Sequence, residues 1–156
     1  PCLTNIKWGI WYILITDKSN KINKIIMKKI DSILIISFYF ANLVLIVFYL
    51  YPGSIFGYIL HSNLYSDPKI TRDFLVSSNH FYAFISLSTI GILAYYNTKR
   101  VNFLINFLIF LSIFLELFHL FIPHRGFELK DLLGNFVGVV VVIIFYKTKI
   151  MYEKNK

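Results

Sequence analysis

The sequence predicts an all-α protein, a bundle of four transmembrane helices. Of its 156 residues, 57 % are hydrophobic and only 15 % are charged, whereas an ordinary soluble domain is about 25 % charged. Residues 32–66 and 74–98 contain no Asp, Glu, Lys or Arg, although a helix on the surface of a soluble domain needs a polar face. Together these observations exclude a disordered chain, a disulfide scaffold and a typical water-soluble enzyme.

Four apolar segments approach the length of about 20 residues that a spanning helix needs. We predict spanning helices over residues 32–51, 74–96, 101–122 and 131–149. Pro52-Gly53 ends the first, Asn97 and the pair Lys99-Arg100 end the second, and Pro123 ends the third. The uncharged part of the fourth has only 15 residues, so Lys147 and Lys149 are expected to reach one membrane surface and Asp131 to lie near the other.

The distribution of basic residues predicts the orientation of these helices. Twelve lie in the N-terminal segment, the turn between the second and third spans, and the tail: Lys7, Lys18, Lys21, Lys24, Lys28, Lys29, Lys99, Arg100, Lys147, Lys149, Lys154 and Lys156. Four lie in the other two loops: Lys69, Arg72, Arg125 and Lys130. Because cytoplasmic loops carry the excess of positive charge, we predict that both termini are cytoplasmic and that loops 52–73 and 123–130 are external. The formal net charge of +8 then anchors the chain to anionic lipid, and no nucleic-acid partner is expected.

The chain divides into three predicted parts. Residues 1–30 form a basic cytoplasmic N-terminal segment, residues 31–152 the membrane domain and residues 153–156 a basic tail. Isoleucines recur at helical spacing opposite the lysines between residues 22 and 30, so this segment is either an amphipathic helix on the membrane surface or a charged linker. The single cysteine, Cys2, excludes an intrachain disulfide and a cysteine-based metal site.

Five polar side chains inside the predicted spans are the candidate site: His80, Glu116, His119, Asp131 and Asn135. A charge at the centre of a spanning helix costs about 2.5–3.5 kcal/mol on insertion scales, so such residues point to function. With the predicted orientation, all five lie at a similar depth in the outer half of the bilayer. We therefore expect one polar pocket open to the outer surface.

Residues after the third span extend this candidate site. His124 and Arg125 follow Pro123, and Arg125, together with Lys130, would hold an anionic headgroup because arginine binds phosphate in a bidentate manner. The structural alternative is that Glu116 pairs with Arg125 and that the histidine and asparagine side chains only join helices.

Two further patterns are interpreted as structural. Gly134 and Gly138 form a small-xxx-small pattern, which we assign to close helix packing rather than to dimerisation. The tyrosines at the predicted span ends are assigned to the membrane interface rather than to a cofactor site: Tyr39, Tyr49, Tyr51, Tyr95 and Tyr96.

The run ELFHLFIPHRGFELKDLLGNFVG, residues 116–138, resembles the signature of the VanZ-like family of small bacterial membrane proteins. That signature has a Glu, a Gln three residues later, a Pro, an Arg, a downstream Asp, an Asn four residues on and a Gly three after it. The HFYAF run beginning at His80 resembles the histidine motif of the family's preceding span. Four positions depart from the family pattern: Val76-Ser77 replace an Asp-Lys pair, Phe84 a tyrosine and His119 the glutamine. Asp73, one turn earlier, is a candidate substitute for the missing aspartate.

The resemblance implies a multi-pass protein of the bacterial cytoplasmic membrane. The namesake of the family is associated with low-level resistance to the glycopeptide teicoplanin. The family name implies a cell-envelope setting and antibiotic resistance without specifying a reaction.

Three functions remain open from the sequence. The first is a module whose pocket binds a membrane lipid or a lipid-linked envelope precursor. The second is an intramembrane enzyme with His80 or His119 as general base and Glu116 as its partner; a variant uses His80, Glu116, His119 and Asp131 as ligands of a divalent metal. The third is a structural assembly protein. No cofactor is otherwise expected, and no oligomeric state is predicted.

Overall fold

The computed structural model describes the backbone of residues 2–66, 68–73, 75–96 and 98–156, and their side chains from Ile22 onward. The fold is all-α, as predicted: 77 % of the chain is helical, with no strand among the described residues. The helices are α1 (Cys2–Leu50), α2 (Ile55–His61), α3 (Ser78–Tyr95), α4 (Val101–Phe118) and α5 (Leu129–Lys154), and a 3₁₀ turn, His119–Phe121, follows α4.

Three of these helices are long and apolar enough to cross a membrane, over Ile22–Leu50, Val101–Phe121 and Leu129–Lys154. Their outward faces carry large exposed apolar side chains such as Phe103 and Phe145. Exposed apolar area of this extent is unfavourable in water and favourable against lipid tails. The chain therefore has the helices of a membrane protein.

The second predicted span forms α3, which has a polar first turn. It has 18 residues and begins with Ser78, Asn79 and His80. Helix α3 is not among the three described helices that are long and apolar enough to cross a membrane. The predicted first residue of this span, Phe74, and the predicted stop at Asn97 lie outside the described residues.

Helix α1 is continuous through Ser32, where the first span was expected to begin. Its described N-terminal part, from Ile22, is helical and exposed; whether it lies on a membrane surface stays a prediction. The side chains of Cys2 and of the lysines before Ile22 lie outside the described residues. The inward face of α1 consists of buried side chains at helical spacing: Phe38, Asn42, Leu45 and Tyr49.

Helix α5 packs most closely against α3, at the two glycines of the small-xxx-small pattern. A Cβ atom at Gly134 would lie 2.8 Å from the carbonyl oxygen of Ser77, and one at Gly138 would lie 2.8 Å from that of Phe81. Both distances are too short for a real Cβ contact. Glycine therefore allows the two backbones to approach at this crossing. Helix α4 packs against α5 and to a smaller extent against α3, and α1 packs mainly against α3.

The loop after α1 contains a short helix that the sequence analysis did not predict. Ser54 accepts a hydrogen bond from the backbone N–H of Gly57 at 3.0 Å, which is the usual role of an N-cap serine. Ser62 ends α2 in the left-handed region with φ of 52°. We call the end of the bundle that carries residues 51–77 and 119–128 the loop end. There α1 and α4 end, and α3 and α5 begin.

Candidate functional site

Six buried or half-buried polar side chains meet at the loop end. We call them the polar cluster: Tyr49, His80, Glu116, His119, Asp131 and Asn135. The structure brings all five in-span polar residues of the sequence analysis together and adds Tyr49. They come from the last turn of α1, the first turn of α3, the end of α4 and the first two turns of α5, so the cluster exists only when four helices are packed.

Glu116 is the most enclosed acidic group of the cluster, because it lies on the buried face of α4. Its side chain has 0 % exposure. Oε1 accepts a hydrogen bond from the backbone N–H of Glu128 at 3.1 Å and lies 3.3 Å from His119 Nδ1. Oε2 lies 3.8 Å from His80 Nδ1 and has no hydrogen-bond partner among the described residues. An unpaired buried carboxylate oxygen carries a desolvation cost, so this atom needs a physical explanation.

His119 ties the end of α4 to the end of α1. Its Nε2 lies 3.1 Å from the carbonyl oxygen of Tyr49. Because a carbonyl only accepts hydrogen bonds, Nε2 carries a proton and donates it. The imidazole also stacks on the Tyr49 ring with a centroid distance of 5.6 Å. Both ring nitrogens of His119 are therefore occupied, one by this carbonyl and the other by Glu116.

A chain of hydrogen bonds assigns the tautomer of His80. Asn135 Nδ2 donates to the carbonyl oxygen of Ser112 at 3.3 Å, so Oδ1 is the acceptor that faces the cluster. The Tyr49 hydroxyl donates to that Oδ1. His80 Nδ1 lies 2.9 Å from the Tyr49 hydroxyl oxygen and 3.1 Å from Asn135 Oδ1. Since the hydroxyl has a single proton, His80 Nδ1 must donate as well.

The other nitrogen of His80 faces a carboxylate. His80 Nε2 lies 3.3 Å from Asp131 Oδ2. The His80 side chain is 14 % exposed and that of Asp131 is 20 % exposed. This pair is therefore the part of the polar cluster that an external molecule reaches, whereas Glu116, His119 and Asn135 lie behind it.

Tyr49 is the site residue that the sequence analysis did not identify, since it was assigned to the membrane interface. The structure places its hydroxyl between Asn135 and His80, and its ring is 7 % exposed. A signal was present in the sequence. Tyr49 lies in the last turn of the first predicted span, at the same depth as the other five residues once the helices are antiparallel.

Arg125 binds the C-terminus of α1. Its Nη2 donates to the carbonyl oxygens of Phe48 at 3.2 Å and Gly53 at 2.6 Å. Its Nε donates to the carbonyl oxygen of Tyr51 at 3.4 Å. Basic side chains commonly satisfy the last carbonyls of a helix in this way. No ion pair joins Arg125 to Glu116 in the part of the chain that the structure describes, so the pairing weighed as a structural alternative is absent there.

The remaining candidates lie around the cluster rather than in it. Lys130 is exposed, and its carbonyl oxygen accepts from the backbone N–H of Ser77 at 3.1 Å. His124 contacts the Tyr65 ring edge-to-face at 5.7 Å. Asp73, considered as a substitute for the family aspartate, accepts from the first backbone N–H of α3, that of Ser78, at 2.9 Å.

Asp73 is also bonded to the ammonium group of Lys69. The hydrogen bond from that ammonium, supported by the backbone N–H of Ser78, lowers the pKa of the Asp73 carboxyl below its usual value of 3.8. This carboxylate therefore helps to start α3 at the loop end.

An apolar groove runs along the surface of the bundle between α1 and α3. Its volume is about 310 Å³. Apolar side chains of both helices line its length: Ala41, Val44, Leu45, Ala83, Leu87 and Ile90. Its polar end lies at the loop end, where Ser54, Asn79, His80 and Arg125 border it. His80 therefore belongs both to the polar cluster and to the wall of the groove.

Comparison with known proteins assigns neither a family nor an activity to this site. No family model, no curated protein and no solved structure matches the chain. Its chemistry has to be argued from the residues themselves.

Proposed function

We propose that the chain is a VanZ-like integral membrane protein whose groove binds a cell-envelope lipid or glycolipid, with the headgroup at the polar cluster. In this proposal α3 also crosses the membrane, as the second of four spans. The loop end faces the outside of the bacterial cytoplasmic membrane, and both termini are cytoplasmic. Binding a lipid-linked envelope precursor there would alter how the precursor is displayed. Such an effect would connect the protein to glycopeptide (teicoplanin) resistance.

The observation that carries this proposal is the polarity of the groove along its length. The apolar part extends on α1 from Ala41 to Phe48, about 10 Å of helix, which matches part of an acyl or isoprenoid chain. Apart from Ser86, the polar side chains of the groove lie at the loop end, among them the imidazole of His80 and the guanidinium of Arg125. An apolar chain with a polar headgroup is the kind of molecule that such a groove accommodates.

The groove is open to the surroundings of the bundle. Val44 of α1 is 37 % exposed, and Ser86 of α3, also a groove residue, is exposed. In a membrane this face would meet lipid directly, so a lipid could enter sideways without passing through water. The charge of Arg125 at the polar end favours an anionic headgroup such as a phosphate.

The excess of basic residues at the opposite end of the bundle supports the proposed orientation. The family resemblance supports the location of the site. Glu116, Asp131 and Asn135, three positions of the family signature, meet His80 of the preceding motif in one cluster. The distribution of basic residues and the family signature therefore both favour the loop end, where the polar end of the groove lies.

The test blocks the groove without touching the polar cluster. Phenylalanine in place of Ser86, as Ser86→Phe, would fill the groove from α3. Thr89→Phe is the matched control, because Thr89 is exposed on the same helix and does not line the groove. Each protein is purified in mild detergent, and its bound lipids are extracted and identified by mass spectrometry.

We expect one lipid class to be enriched with the wild type and with Thr89→Phe, relative to the whole membrane extract. Ser86→Phe should lose most of that lipid while keeping the same thermal unfolding temperature. If Ser86→Phe retains the lipid as well as the control does, or if no lipid is enriched with the wild type, the proposal is wrong.

A second candidate, an intramembrane enzyme acting on the same lipid, is favoured by the His80–Asp131 pair. With Nδ1 held by Tyr49 and Asn135, His80 Nε2 carries the lone pair of a general base at the polar end of the groove. The Asp131 carboxylate, 3.3 Å away, would stabilise the imidazolium that forms when Nε2 accepts a proton. Incubating the enriched lipid with wild-type protein and with His80→Gln separates the two functions. An enzyme would change the headgroup only with the wild type, whereas a binding module would leave the headgroup unchanged in both samples.

A purely structural role gives a different result. In that case His80→Gln would lower the unfolding temperature, and no lipid would be enriched with either protein.

A further inference from the structure

We infer that the polar cluster holds one divalent metal ion between His80, Glu116 and Asp131. Each of these residues offers a ligand atom, and the three atoms lie within 4.8 Å of one another. The three come from α3, α4 and α5, so the ion would join the starts of two helices to the end of a third. This inference depends on the side chains alone and stands independently of the lipid proposal.

The spacing of one ligand pair, His80 and Asp131, fits a small cation. Two ligands about 2.1 Å from a tetrahedral zinc ion lie about 3.4 Å from each other. His80 Nε2 and Asp131 Oδ2 are separated by 3.3 Å. A charge-assisted N–H···O bond is shorter, about 2.7–2.9 Å. The distance thus matches the edge of a coordination polyhedron better than a strong hydrogen bond.

The buried oxygen of Glu116 is a second, independent observation. Oε2 belongs to a side chain with 0 % exposure, has no hydrogen-bond partner among the described residues, and lies 3.8 Å from Nδ1 of His80, the protonated nitrogen of that ring. A carboxylate oxygen enclosed in this way requires a positive partner or a donor. A metal ion shared with Asp131 would supply that partner, and it would also offset the proximity of two carboxylates.

The hydrogen bonds around His80 prepare it as a ligand. Its Nδ1 donates toward Tyr49 and Asn135, so the lone pair is on Nε2, the nitrogen that faces Asp131. Metal-binding histidines are commonly held by a hydrogen bond from the other ring nitrogen, which sets tautomer and orientation. Tyr49 and Asn135 are positioning residues in this arrangement.

His119 does not belong to the ligand set, although the sequence analysis included it. Its Nε2 donates to the carbonyl oxygen of Tyr49, and its Nδ1 lies beside Glu116 Oε1. His119 and the backbone N–H of Glu128 therefore hold Oε1 and leave Oε2 for the ion. The four-residue set narrows to three ligands, with His119 as a positioning residue for Glu116.

One imidazole and two carboxylates suit Zn²⁺ or Mn²⁺. Three protein ligands leave a coordination position open, as in catalytic zinc sites. His80 also lines the groove. If the proposed function holds, the open position lies beside the headgroup of the bound lipid, where a metal ion would bind a phosphate oxygen.

Metal content of the purified full chain tests the inference. The protein in detergent is stripped with a chelator, equilibrated with Zn²⁺ or Mn²⁺ alone, freed of excess ion and measured by inductively coupled plasma mass spectrometry. We expect about one ion per chain in the wild type. Glu116→Gln and Asp131→Asn should each weaken binding about tenfold or more.

Glu128→Gln is the matched control, because the Glu128 side chain is exposed and its hydrogen bonds to the cluster residues Glu116 and Asp131 are made by its backbone. Thermal unfolding and size-exclusion profiles show that each variant is folded; Asp131 is partly exposed, so Asp131→Asn remains informative if Glu116→Gln does not fold. Equal metal in Asp131→Asn and Glu128→Gln, or no stoichiometric metal in the wild type, overturns the inference. Ser86→Phe should bind metal normally, which separates this result from failure of the lipid proposal.

Discussion

Helices α5 and α1 contact the rest of the bundle in opposite ways. Helix α5 meets α3 at Gly134 and Gly138, where the helices are so close that no Cβ atom would fit. Helix α1 is flanked by clefts on both sides. The groove on the α3 side has a volume of about 310 Å³, and a second cleft of about 420 Å³, between Phe38 of α1 and Phe107 of α4, lies on the other.

The difference in packing separates holding the polar cluster from leaving room for a lipid. The closely packed helices α3, α4 and α5 hold five of the six cluster residues at short, defined distances. Helix α1 contributes only Tyr49 to the cluster, and the clefts beside it leave room for another molecule. In a membrane, helix association depends on close contact and interhelical hydrogen bonds, so a helix with open sides is the natural place for a lipid to enter. The following three changes test this separation, beginning with the largest expected effect.

Gly138→Leu would disrupt the closely packed side. The new side chain would meet the carbonyl oxygen of Phe81 and the Cβ atom of Phe84, already 2.8 and 3.1 Å from an added Cβ. Because a backbone carbonyl cannot rotate away, α5 must move off α3, and overpacking of this kind costs about 1–3 kcal/mol or more. We expect a lower unfolding temperature in detergent and loss of metal binding together.

The control for this substitution is Gly126→Leu. An added Cβ at Gly126 has no neighbour within 4 Å, so this variant should unfold at the wild-type temperature. If both variants unfold at the wild-type temperature, α3 and α5 do not depend on the glycine contact, and the separation into a packed and an open side is wrong.

Arg125→Lys would loosen the end of α1 while keeping its positive charge. A lysine ammonium cannot place donors at the carbonyl oxygens of Phe48, Tyr51 and Gly53 as the guanidinium does. We expect a loss of about 1–2 kcal/mol in unfolding free energy, measured by thermal or denaturant unfolding. Arg72→Lys, at an exposed arginine of the same end, should change nothing. Equal stability of the two variants would show that Arg125 does not cap α1.

Asp73→Asn should give the smallest change in stability. It tests the start of α3, the helix that packs against α5 and also lines the groove beside α1. The Lys69 ammonium and the Ser78 N–H lower the pKa of Asp73 below its usual value of 3.8. Such a group stabilises the folded state above its usual pKa, and that stability is lost as the pH falls through the lowered value. The stability difference between wild type and Asp73→Asn should therefore be constant near neutral pH and shrink on acidification below about pH 4. A difference that does not change with pH contradicts this role.

Much of the molecule could be predicted from the chain because it follows from local patterns. The predicted fourth span begins at Asp131, and the helix that forms it, α5, begins at Leu129. The predicted third span ends at Ile122, and the helical structure after α4 ends at Phe121. Costly polar residues in apolar segments drew attention to His80 and Glu116 before any contact was known.

Other features could not be predicted because they depend on which helices touch. Tyr49 looks like any interfacial tyrosine until α1 is placed against α3 and α5. From the sequence Arg125 looks like a headgroup ligand alone, and only the packed structure shows that its guanidinium also binds the last carbonyl oxygens of α1. The groove has no sequence signal of its own, because it is the space that remains between α1 and α3 after the two helices have packed.

Composition and spacing thus account for the helices, their apolar surfaces and the shared depth of five polar residues, because hydropathy and helical period act along the chain. Packing alone defined the hydrogen-bond partners, the proximity of His80, Glu116 and Asp131 and the position of the groove. Such properties depend on distances of a few ångströms between side chains far apart in sequence, and those distances exist only after the helices have come together.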